Sequence, residues 1–191
     1  MVYSFSFSFS RWHQALLAAL LLSLVLAGCG FKLRGEKPLP FTTMYTNIES
    51  NSRFGSYLRR SLKASSPTLQ FVDNASAAQV VLSQLERVQS QREVSLNSQG
   101  QVEEYELTLR LTFQLVSNSG QLLIPPSTLT STRTLPYDEA NSQAKAQEMV
   151  TLYQDMEAQM VGQLVRRISS DDVIQGYQQG AGTPGDAQFA R

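Results

Sequence analysis

Three observations in the sequence predict an α+β, two-layer fold, with two helices packed on one face of a mixed four-stranded sheet. From Glu103 to Val116, Tyr105, Leu107, Leu109, Leu111, Phe113 and Leu115 alternate with Glu104, Glu106, Thr108, Arg110, Thr112 and Gln114. That period of two gives a strand with one dry face and one polar face. From about Asn141 to Ile168, Met149, Leu152, Tyr153, Met156, Met160, Leu164 and Ile168 step by threes and fours, the spacing of a long amphipathic helix that packs on a sheet. The order strand, helix, three or four strands, long helix then selects a two-layer domain.

The elements follow in order. Residues 29–41 carry Gly30, Gly35, Pro38 and Pro40 and read as a tether and lead-in. Met44–Ile48 is a candidate first strand. Asn51-Ser52 can cap a helix in which Phe54, Tyr57, Leu58, Ser61 and Leu62 keep helical spacing to about Ala64, before Pro67 stops it. Its Arg59, Arg60 and Lys63 suit the negative end of the helix dipole. Gln79–Leu96 and the strand from Glu103 form a long hairpin across Asn97-Ser98-Gln99-Gly100. The pattern is irregular from Gln84 to Gln91, which predicts a bulge or a twisted, exposed arm. After the turn Ser117-Asn118-Ser119-Gly120, Leu122–Ile124 is interrupted by Pro125-Pro126 and followed by a Thr-rich strand, Ser127–Leu135. Paired prolines cannot donate to a sheet ladder and belong at an edge or a break. The domain is predicted over residues 42–174. The Gln, Gly, Ala and Pro bias of residues 175–191 predicts a disordered tail.

The N-terminus carries a different signal. Arg11 precedes an apolar run, Ala15 to Ala27, that ends in Leu26-Ala27-Gly28-Cys29. The run is about 13 residues, short of the roughly 20 needed to cross the hydrocarbon core, and its layout is that of a signal peptide, residues 1–28, removed on export. Leu-Ala-Gly-Cys resembles the bacterial lipobox. Cys29 is the only cysteine, so an internal disulfide is impossible. It is the expected lipid-attachment residue, carrying S-diacylglycerol and N-palmitoyl groups, and several chains together anchor a protein stably. Residues 29–191 remain, enough for one domain with a core.

The residue inventory points to binding and away from catalysis. The one histidine, His13, lies in the signal segment, which removes histidine-based nucleophilic triads and His/Cys zinc sites from the rest of the chain. No GxxxxGK[ST] or GxGxxG stretch is present to cradle phosphates. Two carboxylate doublets remain. Glu103 and Glu104 fall on opposite faces of a strand, and Asp171-Asp172 falls in an apparent turn, so neither forms an acid/base pair. Sixteen basic residues balance sixteen acidic ones, and a neutral chain has no summed field to hold nucleic acid. No catalytic residue, metal ligand or cofactor is expected. Arg87, Arg92 and Arg110 on the hairpin, Arg133 and Lys145 are the cations able to hold phosphate by charge-assisted hydrogen bonds.

Cys29-Gly30-Phe31-Lys32-Leu33-Arg34, Gly100-Gln101-Val102-Glu103-Glu104-Tyr105 and the helix end Gln163-Leu164-Val165-Arg166-Arg167 resemble the LPS-assembly lipoprotein LptE family. The resemblance implies two helices on a four-stranded sheet, and a lipoprotein that plugs the lumen of the outer-membrane β-barrel LptD, assists its assembly and binds lipopolysaccharide. Gly30, where inner-membrane retention would place aspartate, implies outer-membrane sorting by the same resemblance. The family's lysine at the start of the second helix corresponds to Lys145. Its basic hairpin-turn residue corresponds to Ser98, a departure that leaves Arg92 as the hairpin candidate. Rival readings are a pilot or assembly lipoprotein for a different outer-membrane pore, and a lipid-anchored periplasmic hydrolase.

Overall fold

The computed structural model describes residues 38–181. Cys29, the signal segment and the first part of the tether lie outside the described residues.

Strand β1, Thr43–Thr46, leads by Ile48 into helix α1, Arg53–Ser65. The helix starts where Ser52 Oγ accepts a hydrogen bond from the Gly55 N–H at 3.0 Å, satisfying one of the amides that a helix start leaves open. Phe54, Leu58 and Leu62 put its apolar stripe in the core. Past Pro67 the chain returns as β2, Gln70–Phe71, parallel to β1. Strand β3, Val80–Leu96, also lies parallel to β1, which it meets only over Val80–Leu82. It then continues as one arm of the hairpin with β4, Val102–Ser117. Strand β5, Leu122–Pro136, completes the sheet, whose order is β2-β1-β3-β4-β5.

The sheet has five strands among the described residues, one more than the sequence predicts. The extra one, β2, is two residues long, too short to display any period, and the tertiary pairing with β1 alone makes it a strand. The hairpin is as expected, and the irregular stretch contains a bulge at Leu85, between the pairs Gln84–Phe113 and Glu86–Thr112. Its turn is closed by Asn97 Oδ1, which accepts from the Gln99 and Gln101 amides at 3.0 and 2.9 Å. Gly100 supplies the positive φ, 80°, that this turn needs. Pro125 and Pro126 do not divide two strands. They lie within β5, an edge strand whose register slips between Phe113 and Leu115, and an edge tolerates a missing donor.

Helix α2, Ser142–Ile168, buries Met156, Met160, Val161, Leu164, Val165 and Ile168. They meet Leu107, Leu109, Leu111, Phe113 and Leu115 from the dry face of β4 in one core cluster. At roughly 1.5–3 kcal/mol for each large apolar side chain withdrawn from water, this contact dominates the fold's stability. A third helix, α3, Asp171–Ala181, occupies the start of the stretch expected to be a disordered tail. Val173 is buried, and the Tyr177 ring meets Phe41 edge-on at 5.4 Å. Leu39 and Phe41, at the end of the expected tether, are core residues. Two or three well-placed apolar groups outweigh a polar local composition when a neighbouring surface receives them.

Candidate functional site

The face of the sheet turned away from the core is the polar half of the alternation. Glu106, Thr108, Arg110 and Thr112 of β4 stand in register beside Thr134, Thr132, Thr130 and Thr128 of β5, and Arg92 of β3 pairs with Glu106. Thr112 and Thr128 share a hydroxyl hydrogen bond of 3.0 Å across the strands. The surface offers hydroxyls and two exposed arginines, Arg110 and Arg92, the latter ion-paired with Glu106 at 2.9 Å. It suits many weak polar contacts with another polar wall. Beyond Leu82 the outer edge of β3 has left β1 behind, and Leu85, Val88, Val94 and Leu96 along this arm are exposed.

Arg92 and Lys145 stand on opposite sides of the sheet. Arg92 projects from the polar face with its side chain 72% exposed. Lys145, in the first turns of α2, is on the helical side and donates to Glu148 Oε2 at 2.9 Å. They share one end of the molecule, because Tyr153, two turns further along α2, donates from its hydroxyl to the Ser90 carbonyl at 2.7 Å. Two separate phosphate contacts at that end are possible; a single two-residue clamp is not. Beside Lys145's helix, Tyr105 meets Tyr137 edge-on at 5.0 Å. Its phenol pKa is raised, first by desolvation and then by the nearby Glu93 and Tyr137.

The other cations are engaged locally. Arg87 is ion-paired with Glu157 and stacks over Phe54 at 5.0 Å, a half-buried arrangement that ties β3 to both long helices. Arg133 donates to Gln159 Oε1 at 2.6 Å. Glu103 and Glu104 alternate across β4 as predicted. Asp171 and Asp172 are in the first turn of α3, where carboxylates complement the helix dipole. Arg167 and Ser170 hold Asp172 below the usual carboxylate range: the Ser170 hydroxyl is the larger cause, the Arg167 guanidinium at 2.7 Å the next.

Sequence reasoning missed one feature, a groove between α1 and α2 lined by Arg53, Tyr57, Arg60 and Arg166. The signal was present. Helix α1 carries four cations and no acid, and Arg53, Tyr57 and Arg60 are spaced i, i+4, i+7 along it. Assigning Arg60 to the helix dipole hid the face it shares with Arg53.

Among the described residues no helix is long and apolar enough to cross a membrane, and no three His, Cys, Asp or Glu side chains cluster closely enough to hold a metal. The fold and its surfaces define a class, an α+β domain with one helical side and one open, hydroxyl-rich sheet face. The chain belongs to the lipopolysaccharide-assembly family LptE, whose model matches residues 41–168. It is 31% identical over 166 residues to the LPS-assembly lipoprotein LptE of Yersinia enterocolitica, covering 82% of this chain and 76% of that protein. It is 28% identical over 148 residues to the protein of that name from Photorhabdus laumondii, covering 76% and 79%. Among solved structures, a lipoprotein B from Nitrosomonas europaea superposes with a TM-score of 0.61 at 31% identity, over 73% of this chain and 90% of that one. A rare lipoprotein B from Shewanella oneidensis shares the fold, with a TM-score of 0.59 at 21% identity over 69% and 97%. The family is one of envelope lipoproteins of lipopolysaccharide assembly, not of enzymes.

Proposed function

We propose that this lipoprotein plugs an LptD-type outer-membrane β-barrel, assists its assembly, and takes part in binding lipopolysaccharide and inserting it at the cell surface. The observation that carries the reading is the open sheet face. A large barrel encloses a polar lumen, and a plug must meet it through hydrogen bonds spread over a rigid surface. The Thr-rich register of β4 and β5 offers such a surface, and the core cluster behind it fixes its shape. Length fits as well. Sixteen residues of β4 at about 3.3 Å each give a strand of roughly 50 Å, more than the approximately 25 Å height of a barrel's apolar band.

Lipopolysaccharide carries phosphate, and Lys145 and Arg92 are the contacts proposed for it, approached from the two sides of the sheet at its hairpin end. Cys29, outside the described residues, is proposed to carry the acyl chains that hold the protein in the outer membrane. Affinity purification of the tagged, lipidated chain from detergent-solubilised outer membranes tests the plug reading. It predicts one barrel of the LptD type recovered in stoichiometric amount. Recovery of a different pore, or of no partner, would overturn it.

A further inference from the structure

We propose that the groove between α1 and α2 is a docking site for an acidic, extended segment of a partner polypeptide. Two adjoining hollows, of about 370 and 540 Å³, share Tyr57 and Ala158 and so form one trough along the helix pair. One wall is the stripe Arg53, Tyr57, Arg60 of α1. The other is the stripe Gln154, Ala158, Gly162, Arg166 of α2, spaced by four and therefore on one helix face. From Gln154 to Arg166 the helix rises about 18 Å, the length of five or six residues of extended chain. Ala158 and Gly162 keep the floor low. A Cβ placed on Gly162 would approach only the flexible Arg166 guanidinium, at 3.4 Å.

Charge selects the occupant. Three arginines line the trough against a single carboxylate, Glu157. That carboxylate is already taken by Arg87 from beneath, and Arg53 reaches it only at 4.0 Å. Arg60 lies over the Tyr57 ring at 5.9 Å, and among the described residues neither Arg60 nor Arg166 has an ion pair. Helix α1 adds no acid anywhere along its length. Like charges gathered on one face repel one another, and carboxylates of a docked segment, gripped bidentately by guanidinium groups, would reverse that.

The neutral lining suits a polypeptide backbone. Gln154 and Gln163 present carboxamides with both a donor and an acceptor, and Gln159, whose oxygen accepts from Arg133, presents its amide donors. Those match the alternating N–H and C=O groups of an extended backbone. Tyr57, 40% exposed, supplies an apolar ring against which a side chain of the segment can lie.

The test is made on the full lipidated chain in detergent micelles, without any barrel, so that it succeeds or fails separately from the plug reading. Fluorescence anisotropy of a labelled octapeptide of alternating Ser and Glu is expected to show saturable binding. The double variant Arg60→Gln, Arg166→Gln should weaken it at least ten-fold. Arg110→Gln on the open sheet face should leave it unchanged, and a Ser/Gln peptide of the same length should bind at least ten-fold more weakly. Ala158→Trp, which fills the trough while keeping every charge, should abolish binding and guards against a folding effect in the double variant. Absence of binding to the wild type, equal binding by both peptides, or equal loss with Arg110→Gln would overturn the proposal. So would displacement of the peptide by glucosamine phosphate at lower concentration than by unlabelled peptide, which would make the groove a phosphoglycan site.

Discussion

Gly55 shows how a single residue is fixed by its surroundings. A helix-interior glycine ordinarily gives way to alanine with a gain of up to about 1 kcal/mol. Here a Cβ would stand 2.0 Å from the Glu49 carbonyl oxygen, which also accepts from the Ser52 hydroxyl at 2.7 Å. A backbone atom held by a cap cannot retreat, so the steric term wins. Gly55→Ala is expected to destabilise the protein by about 1–3 kcal/mol, read as a lower midpoint in chemical denaturation; a raised midpoint would show that the loop before α1 yields. Lys145 belongs to this scale too. Its partner Glu148 is one turn away and half exposed, a pairing worth a few tenths of a kcal/mol and easily exchanged for a phosphate. Lys145→Glu is therefore expected to weaken lipopolysaccharide binding about ten-fold or more by charge reversal. An unchanged affinity in a direct binding assay would take Lys145 out of the site.

At the scale of the element, the ends of the helices are where sequence choices act. Ser52 satisfies the Gly55 amide, and Ser52→Ala is expected to cost about 1 kcal/mol, seen as an earlier thermal transition of the whole domain because α1 is packed into the common core. In the first turn of α3 stands Asp172, whose carboxyl is held below its ordinary value of 3.8 by Ser170 and Arg167. A folded-state value lower than the unfolded one stabilises the fold above about pH 4, and that contribution is lost as pH falls through the depressed value. The side chain is 58% exposed, so solvent screening limits it to less than about 1 kcal/mol. The difference in thermal midpoint between wild type and Asp172→Asn should be present at pH 7 and close below pH 4. A difference that persists in acid would assign the effect to packing.

For the whole molecule, among the described residues every buried apolar side chain of the core cluster lies between Leu39 and Val173. Cys29→Ala is accordingly expected to leave the domain folded while releasing the protein from membranes. Retention of the variant in a salt-washed membrane fraction would show that acylation is not the sole anchor. The two sides of the molecule also differ in their chemistry. The sheet face carries hydroxyls in ladder register, suited to a broad polar wall. The helical face concentrates arginine over a trough, suited to a narrow acidic strand.

What the sequence determined by itself were the elements whose signal is repeated along the chain. The β4 alternation and the α2 stripe each run through many residues, so burial of one face follows from their period alone, and both elements match their predicted limits within about a residue. The bulge at Leu85 was legible because it interrupts such a pattern. Tertiary structure decided what has no period of its own. The two residues of β2 became a strand because β1 presented a free ladder. Pro125 and Pro126 stayed within β5 because an edge needs no donor there. Tyr177 and Val173 ordered a glutamine-rich stretch because Phe41 and the core offered them an apolar surface. The same applies to the surfaces: local sequence gave the cations, but only the crossing of α1 over α2 put Arg53, Arg60 and Arg166 around one groove, and only the sheet between them set Arg92 apart from Lys145. Periodicity is written in neighbouring residues, whereas proximity between distant ones is created by packing.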